Sequence, residues 1–253
     1  MLARKVDVVV LMAGEGRRLR PLTNDRPKGL LLCEDGLSIF NHLIKSFVSW
    51  DWDATIIPVV GHGRPKVMEE LDSLSDLAKF DHVCNPFYAN TGPLISLWLG
   101  LIQSKNDSVV IVNGDTLIKE SLVENIVKWT NAPTDVKKPT VSLCVSKASQ
   151  FYKDDMKVML DENGQFVKAG KDLNAAKCRL KSAGVISVKD ANSKRALKYM
   201  VNQLIMKPDT SLKSYYWHNL FNEIKDVFKI DLLEVGLDSW YEVDTSADLK
   251  TMV

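Results

Sequence analysis

The chain of 253 residues is 45% hydrophobic and 26% charged, the balance of an ordinary globular domain with a sizeable core. With 33 basic against 32 acidic residues, no overall charge draws it to nucleic acid or a membrane surface, so any anion site has to be local. No apolar run approaches the roughly 20 residues of a membrane span, and Cys33, Cys84, Cys144 and Cys178 stand too far apart to suggest a zinc site or a disulfide framework.

The first half alternates strand and helix signals. Residues 6–12 (VDVVVLM) form a continuous β-branched apolar run, the mark of a strand buried on both faces. The run is short and Arg17, Arg18 and Arg20 follow it closely, which is not the pattern of a secretory signal; the cytoplasm and reduced thiols are expected. Apolar residues at helical spacing over 37–50 predict a helix with Ser38 as its N-cap. Residues 54–61 read as a second strand, 65–74 as a helix opened by Pro65, 81–85 as a short third strand and 93–104 as a helix. Residues 108–116 read as a fourth buried strand ending in a polar turn, and 120–130 as the next helix. This alternation predicts an α/β fold, a mostly parallel sheet covered on both sides.

The texture changes after about Asn131. Residues 131–140 read as a loop, and 141–146, 156–170 and 179–188 as strands, the middle one folded into a hairpin at Glu162-Asn163-Gly164. Amphipathic helices are predicted over 190–206 and 214–228, strands over 231–236 and 240–244, and a closing helix over 245–252. The expected organisation is one domain, 1–253, in which about 146–228 forms a smaller α+β lobe.

Between the first strand and the first helix lies LMAGEGRRLRPLTNDRPKGL, residues 11–30, a loop rich in glycine and cations. Its spacing does not match the G-x-x-x-x-G-K-[ST] of a phosphate-binding P-loop. A dinucleotide fingerprint fails too, because Leu19 stands where a third glycine is needed and Val60-Gly61 where an acidic residue should close the second strand. What remains is G-x-G-x-R-L-x-P-L-T followed by P-K. Gly14 and Gly16 let the backbone approach phosphate oxygens, Arg18 and Lys28 supply fixed positive charge, and Pro21 and Pro27 stiffen the excursion between them. A solvated surface turn is the bland alternative, and the register of Arg18, Pro27 and Lys28 argues against it.

That pattern resembles the signature of the nucleotidyltransferases that activate sugar phosphates and phosphocholine, and the resemblance extends over nearly the whole chain. It implies a Rossmann-like fold of the nucleotide-diphospho-sugar transferase type, with Ala13, Gly14, Glu15 and Gly16 wrapping a triphosphate. Thr91, Gly92 and Ser96, in NPFYANTGPLISLW, match the segment that holds base and ribose, although Asn85 and Thr91 could equally make a turn. Asp115, just past a buried strand, and Asp244, at the end of another, stand where the family places its Mg²⁺ ligands. Asp244 ahead of Thr245 and Ser246 could instead cap the last helix. Lys171 matches a lysine that the family directs at the acceptor's phosphate.

Within the family, the ending WYEVDTSADL and the stretch DDMKVMLDENGQFVKAGKDL look most like the phosphocholine or aminoalkylphosphonate cytidylyltransferases. That likeness implies CTP, Mg²⁺ and a small phosphate or phosphonate monoester as partners, with no nucleic acid and no membrane, and allows a homodimer. An ammonium-bearing acceptor would be served by an aromatic cage, for which Trp217 and Trp240 are candidates, unless these rings form core. Met12, where the family commonly has alanine, is expected to reshape the base pocket. Two other functions stay open: a sugar-1-phosphate nucleotidylyltransferase using UTP, dTTP or GTP, and a regulatory subunit that binds a nucleotide without turning it over.

Overall fold

The computed structural model describes residues 4–50, 52–134, 138–208, 211–213 and 215–250. The valine run becomes β1 (Arg4–Leu11), and Ser38 caps α1 (Ile39–Val48) by accepting the Asn41 N–H at 2.9 Å. Then follow β2 (Trp52–Val60), α2 (Arg64–Ser73), the two-residue strands β3 (Lys79–Phe80) and β4 (Val83–Cys84), and α3 (Pro93–Gln103). β5 (Ser108–Asn113), β6 (Thr116–Ile118) and α4 (Glu120–Asn131) close the first half. The second half holds β7 (Thr140–Lys147), the hairpin β8 (Lys157–Leu160) and β9 (Phe166–Gly170), β10 (Leu180–Val188), α5 (Ala191–Met206), α6 (Asn219–Ile224), β11 (Lys229–Glu234) and β12 (Trp240–Glu242).

The main sheet runs β11-β7-β10-β5-β1-β2-β3, with β4 also on β2 and the β8–β9 hairpin on the end of β10. β1 is parallel to β2 and β5, whereas β10 inserts antiparallel between β5 and β7. Alternate side chains of β1 leave on opposite faces. Val8 and Val10 meet Phe40, Leu43 and Phe47 of α1, and Val9 meets Leu94, Leu97 and Leu101 of α3, all fully buried. Each such side chain is worth about 1.5–3 kcal/mol of burial, which explains why this strand carries no polar alternation. α5 and α6 share the α3 side of the core: Leu197, Val201, Leu220 and Phe221 pack in the same cluster as Val9. The fold is thus α/β, a large mixed, mostly parallel sheet flanked by helices.

Four expectations need correction. The predicted strand 108–116 breaks at Asn113; Gly114-Asp115 turn, and β6 pairs antiparallel with β12 in a separate two-stranded sheet. The predicted helix 214–228 shrinks to Asn219–Ile224, because Trp217 and His218 turn inward and stack, ring centroids 3.5 Å apart; Ser214 lies outside the described residues. The predicted closing helix reduces to one 3-10 turn, Asp248–Lys250, and residues 251–252 lie outside the described residues. Short β3, with only two residues of apolar signal, was not foreseen. Of the loop expected over 131–140, residues 132–134 and 138–139 are loop, Asn131 ends α4 and Thr140 opens β7, and 135–137 lie outside the described residues.

Candidate active site

Three strand ends converge. β1 and β5 are parallel neighbours, so the loop after Leu11 and the Gly114-Asp115 turn emerge on the same edge of the sheet. β12 pairs Glu242 with Thr116, and the Val243 N–H donates to the Asp115 carbonyl at 3.0 Å, bringing Asp244 to the same point. Lys28 arrives from its own 3-10 turn, Lys28–Leu30. Gly29 makes that approach possible: a Cβ there would stand 2.6 Å from the Gly114 carbonyl oxygen.

The result is a compact charge cluster. The Lys28 ammonium lies 2.8 Å from Asp115 Oδ2 and 3.0 Å from Asp244 Oδ1. Burial works to lower its pKa, but the two carboxylates outweigh that and hold it above its ordinary value. One ligand oxygen each from Asp115, Glu242 and Asp244 lies within 4.8 Å of the others. Glu242 keeps an edge open to solvent, but desolvation by the surrounding walls, then the charges of Asp115 and Asp244, push its carboxyl up to about 7. Asp115 Oδ1 is buried and has no hydrogen-bond partner among the described residues. An orphaned carboxylate oxygen beside two further carboxylates is the donor set of a hard divalent cation such as Mg²⁺, so the residues fit that ion.

The alternative of Asp244 as a helix cap does not hold. Asp248 Oδ2 accepts the N–H groups of Asp244 and Thr245 at 2.9 and 2.6 Å, leaving the Asp244 carboxylate for Lys28.

Two adjoining cavities of about 270 Å³ each share Leu11, Gly14, Arg18 and Asp115. One is lined by Gly16, Lys28, Gly114 and Asp244, and Met12 lies on this side. The other is lined by Thr91, Gly92 and Ser96 and by Lys171, Tyr216 and Trp217. Ala13 and Gly14 both border this second space, and a Cβ on Gly14 would meet nothing within 4 Å. Gly16 takes the left-handed conformation, φ +57°, that its turn requires. Asn85 organises the turn ahead of α3, accepting from Phe87 N–H at 2.9 Å and donating to Ser96 Oγ at 3.1 Å, while Thr91 Oγ1 donates to the Phe87 carbonyl. Both residues make the turn and line the cavity.

Some named residues stand elsewhere. The Glu15 carboxylate is taken by Arg17 and Arg20, at 2.8 and 3.1 Å, and borders neither cavity. Of the two tryptophans proposed for an aromatic cage, only Trp217 borders a cavity. Trp240 is buried, donates its indole N–H to Ser146 Oγ at 2.7 Å, has Lys181 over its ring, and borders neither cavity. Trp217, 1% exposed, spends one face on His218 and its N–H on Asn113. The ring of Tyr216 is covered by the Lys171 ammonium, 4.7 Å from its centroid. Trp217 and Tyr216 thus border the cavity with one face of each ring already engaged.

Sequence reasoning missed Asp154, which bridges the walls of the cleft: Oδ2 accepts from Arg18 at 3.0 Å and Oδ1 lies 3.8 Å from Lys171. It also missed Glu242. Residues i and i+2 of an extended strand share a face, so Glu242 and Asp244 around buried Val243 were the signal.

A family model described as nucleotidyl transferase matches residues 7–152. Among curated proteins, the bifunctional protein GlmU of Methanococcus maripaludis (strain DSM 14266) is 28% identical over 127 residues, 50% of this chain and 28% of that protein. Mannose-1-phosphate guanylyltransferase of Mycobacterium tuberculosis is 32% identical over 126 residues, 49% of this chain and 34% of that protein. The matched stretch is therefore only about a third or less of those relatives' lengths. Among solved structures, the inositol-1-phosphate CTP transferase from T. maritima superposes with a TM-score of 0.76 at 21% identity, covering 99% of this chain and 93% of that one. The CTP:phosphocholine cytidylyltransferase from Streptococcus pneumoniae gives 0.71 at 20% identity, covering 96% and 95%.

Proposed function

The chain belongs to the nucleotidyl transferase family, and from that premise we propose that it transfers a cytidylyl group from CTP to a small phosphate or phosphonate monoester, releasing pyrophosphate. The observation that carries the reading is the convergence of Lys28, Asp115, Glu242 and Asp244 on one edge of the sheet, beside a cationic glycine loop. Two structural neighbours that cover nearly the whole chain are named for CTP, which supports the choice of nucleotide.

In this reading Gly14, Gly16, Arg18 and Lys28 receive the triphosphate, Thr91, Gly92 and Ser96 border the base and ribose, and Lys171 orients the acceptor from the side formed by about residues 146–228. Asp115 and Asp244, with Glu242, would hold Mg²⁺. When bound, that ion neutralises charge on the phosphates. The acceptor's second pKa is about 6, so its attacking oxygen is already deprotonated at neutral pH and needs no general base. That oxygen attacks the α-phosphorus as the bond to pyrophosphate breaks, and Arg18 and Lys28 stabilise the charge that accumulates. An ammonium on the acceptor would meet the Asp154 carboxylate.

A second reading, a sugar-1-phosphate nucleotidylyltransferase using UTP, dTTP or GTP, is favoured by the names of the curated relatives. A regulatory subunit without turnover has less support, since the full set of loop cations and carboxylates converges. The test is pyrophosphate release from CTP, UTP, GTP, ATP and dTTP against phosphocholine, phosphoethanolamine, 2-aminoethylphosphonate, inositol 1-phosphate and hexose 1-phosphates. Turnover with CTP supports the first reading, and turnover only with another nucleotide and a hexose phosphate replaces it with the second.

A further inference from the structure

Lys157 is 5% exposed, yet it makes no ion pair with a described carboxylate. In the ladder it faces Gly170 on one side and Lys181 on the other, so two lysines stand directly opposite each other on neighbouring strands. Like charges in that relation oppose pairing, and a buried ammonium loses its water. The nearby carboxylates are used elsewhere: Asp155 by Lys181 at 3.5 Å and Asp154 by Lys171 at 3.8 Å. Mere packing between β9 and β10 would be served better by a methionine.

What the ammonium does touch is backbone. Lys157 Nζ donates to the Lys171 carbonyl at 2.5 Å and, more weakly, to the Asp155 carbonyl at 3.4 Å. The β8–β9 ladder ends at the Lys157–Gly170 pair, so Lys171 is the first residue that no strand holds. Asp155 adjoins the residue that bridges Arg18 and Lys171. One buried cation thus ties together the two segments that form the acceptor side of the cleft.

We propose that Lys157 is a positioning residue: it fixes the backbone at Lys171 and thereby the direction in which the Lys171 ammonium meets the acceptor's phosphate. The proposal rests on the role given to Lys171 under Proposed function. Steady-state kinetics on the full chain, with CTP and each of phosphocholine, 2-aminoethylphosphonate and inositol 1-phosphate, test it through K157M, K157R, K171A and the K157M/K171A pair. K157M raises the acceptor KM about tenfold or more while the CTP KM stays within about twofold, because misplacement affects only the group that Lys171 orients. K157R, which keeps donors for both carbonyls, recovers most of the loss. In the K171A background K157M adds nothing further, whereas a merely structural role would multiply the two effects. If K157M does not fold, K157Q, neutral but still a donor, takes its place in the same cycle. An unchanged acceptor KM in the Lys157 variants, alongside a raised one in K171A, overturns the proposal and leaves the cytidylyltransferase reading standing. An unchanged acceptor KM in K171A, or no turnover with any of the three acceptors, overturns that reading and the proposal with it.

Discussion

Trp217 donates its indole N–H to the side-chain oxygen of Asn113 at 2.9 Å, joining the turn before α6 to the end of β5, two residues from Asp115. The same Asn113 leaves no room on its other side, where a Cβ on Gly184 would stand 2.7 Å from its amide nitrogen. Gly184 lies where the β7–β10 register shifts and holds φ +72°. W217F removes the donor from a half-buried acceptor that borders the cleft, a loss of about 0.5–1.5 kcal/mol. At about 2–4 °C per kcal/mol for a chain of this size, the thermal midpoint falls accordingly, which differential scanning calorimetry reads directly.

Lys28 is held by two carboxylates and faces a cavity, so its removal is felt in chemistry before stability. K28A and D115A each lower kcat by about 100-fold or more, the scale expected for removing a group that stabilises developing charge. Far-ultraviolet circular dichroism of both variants stays that of the parent. Parent-like turnover in either would sink the site assignment.

Three carboxylates with one orphaned oxygen make a divalent cation a stabilising ligand. Adding Mg²⁺ raises the thermal midpoint of the parent in proportion to the logarithm of its concentration above the dissociation constant, and the D115N/D244N pair shows no such rise. A chelator in the pyrophosphate assay abolishes turnover. Equal Mg²⁺ shifts in parent and double variant would move the ion elsewhere.

His218 is buried, with Nε2 3.0 Å from Ser182 Oγ, and burial, aided by the charge of Lys171, pushes its pKa down to about 3. The unfolded chain, near 6.5, binds this proton more readily than the folded one. Stability contributed here is therefore complete above pH about 6.5 and falls as pH drops towards 3, by about 1.4 kcal/mol per pH unit. Urea titrations at pH 7 and 5 should differ by about 2 kcal/mol from this group. H218N narrows that difference, and an unchanged difference would place the acid sensitivity in other groups.

Much of this was legible in the chain. The buried valine run announced β1, and the glycine-cation loop after it marks the point where the cleft opens. What sequence could not supply were partners chosen by geometry across long separations. The aromatic segment 215–217 reads as a cage or a core, and only the turn that drives Trp217 onto Asn113 places its ring. Asp154 belongs to no local pattern; its role follows from where the loop between β7 and β8 delivers it opposite Arg18. β6 was hidden because three residues carry too little periodicity, and its pairing with β12 is what brings Glu242 and Asp244 to Asp115.

The central place of β10 also dictates an order of events during synthesis. β5 pairs with β1 along one edge, and its other edge, Val109 to Val112, stays open until β10 has been made. β7, which emerges first, is buried along most of its length, but in the finished sheet it does not pair with β5. A growing chain therefore presents two sticky strand edges whose direct pairing would be an error, to be undone before β10 can enter between them. Such long-range insertion slows folding relative to a sheet assembled from sequential neighbours. The nascent protein is consequently most exposed to wrong strand pairing after β7 has left the ribosome and before β10 has.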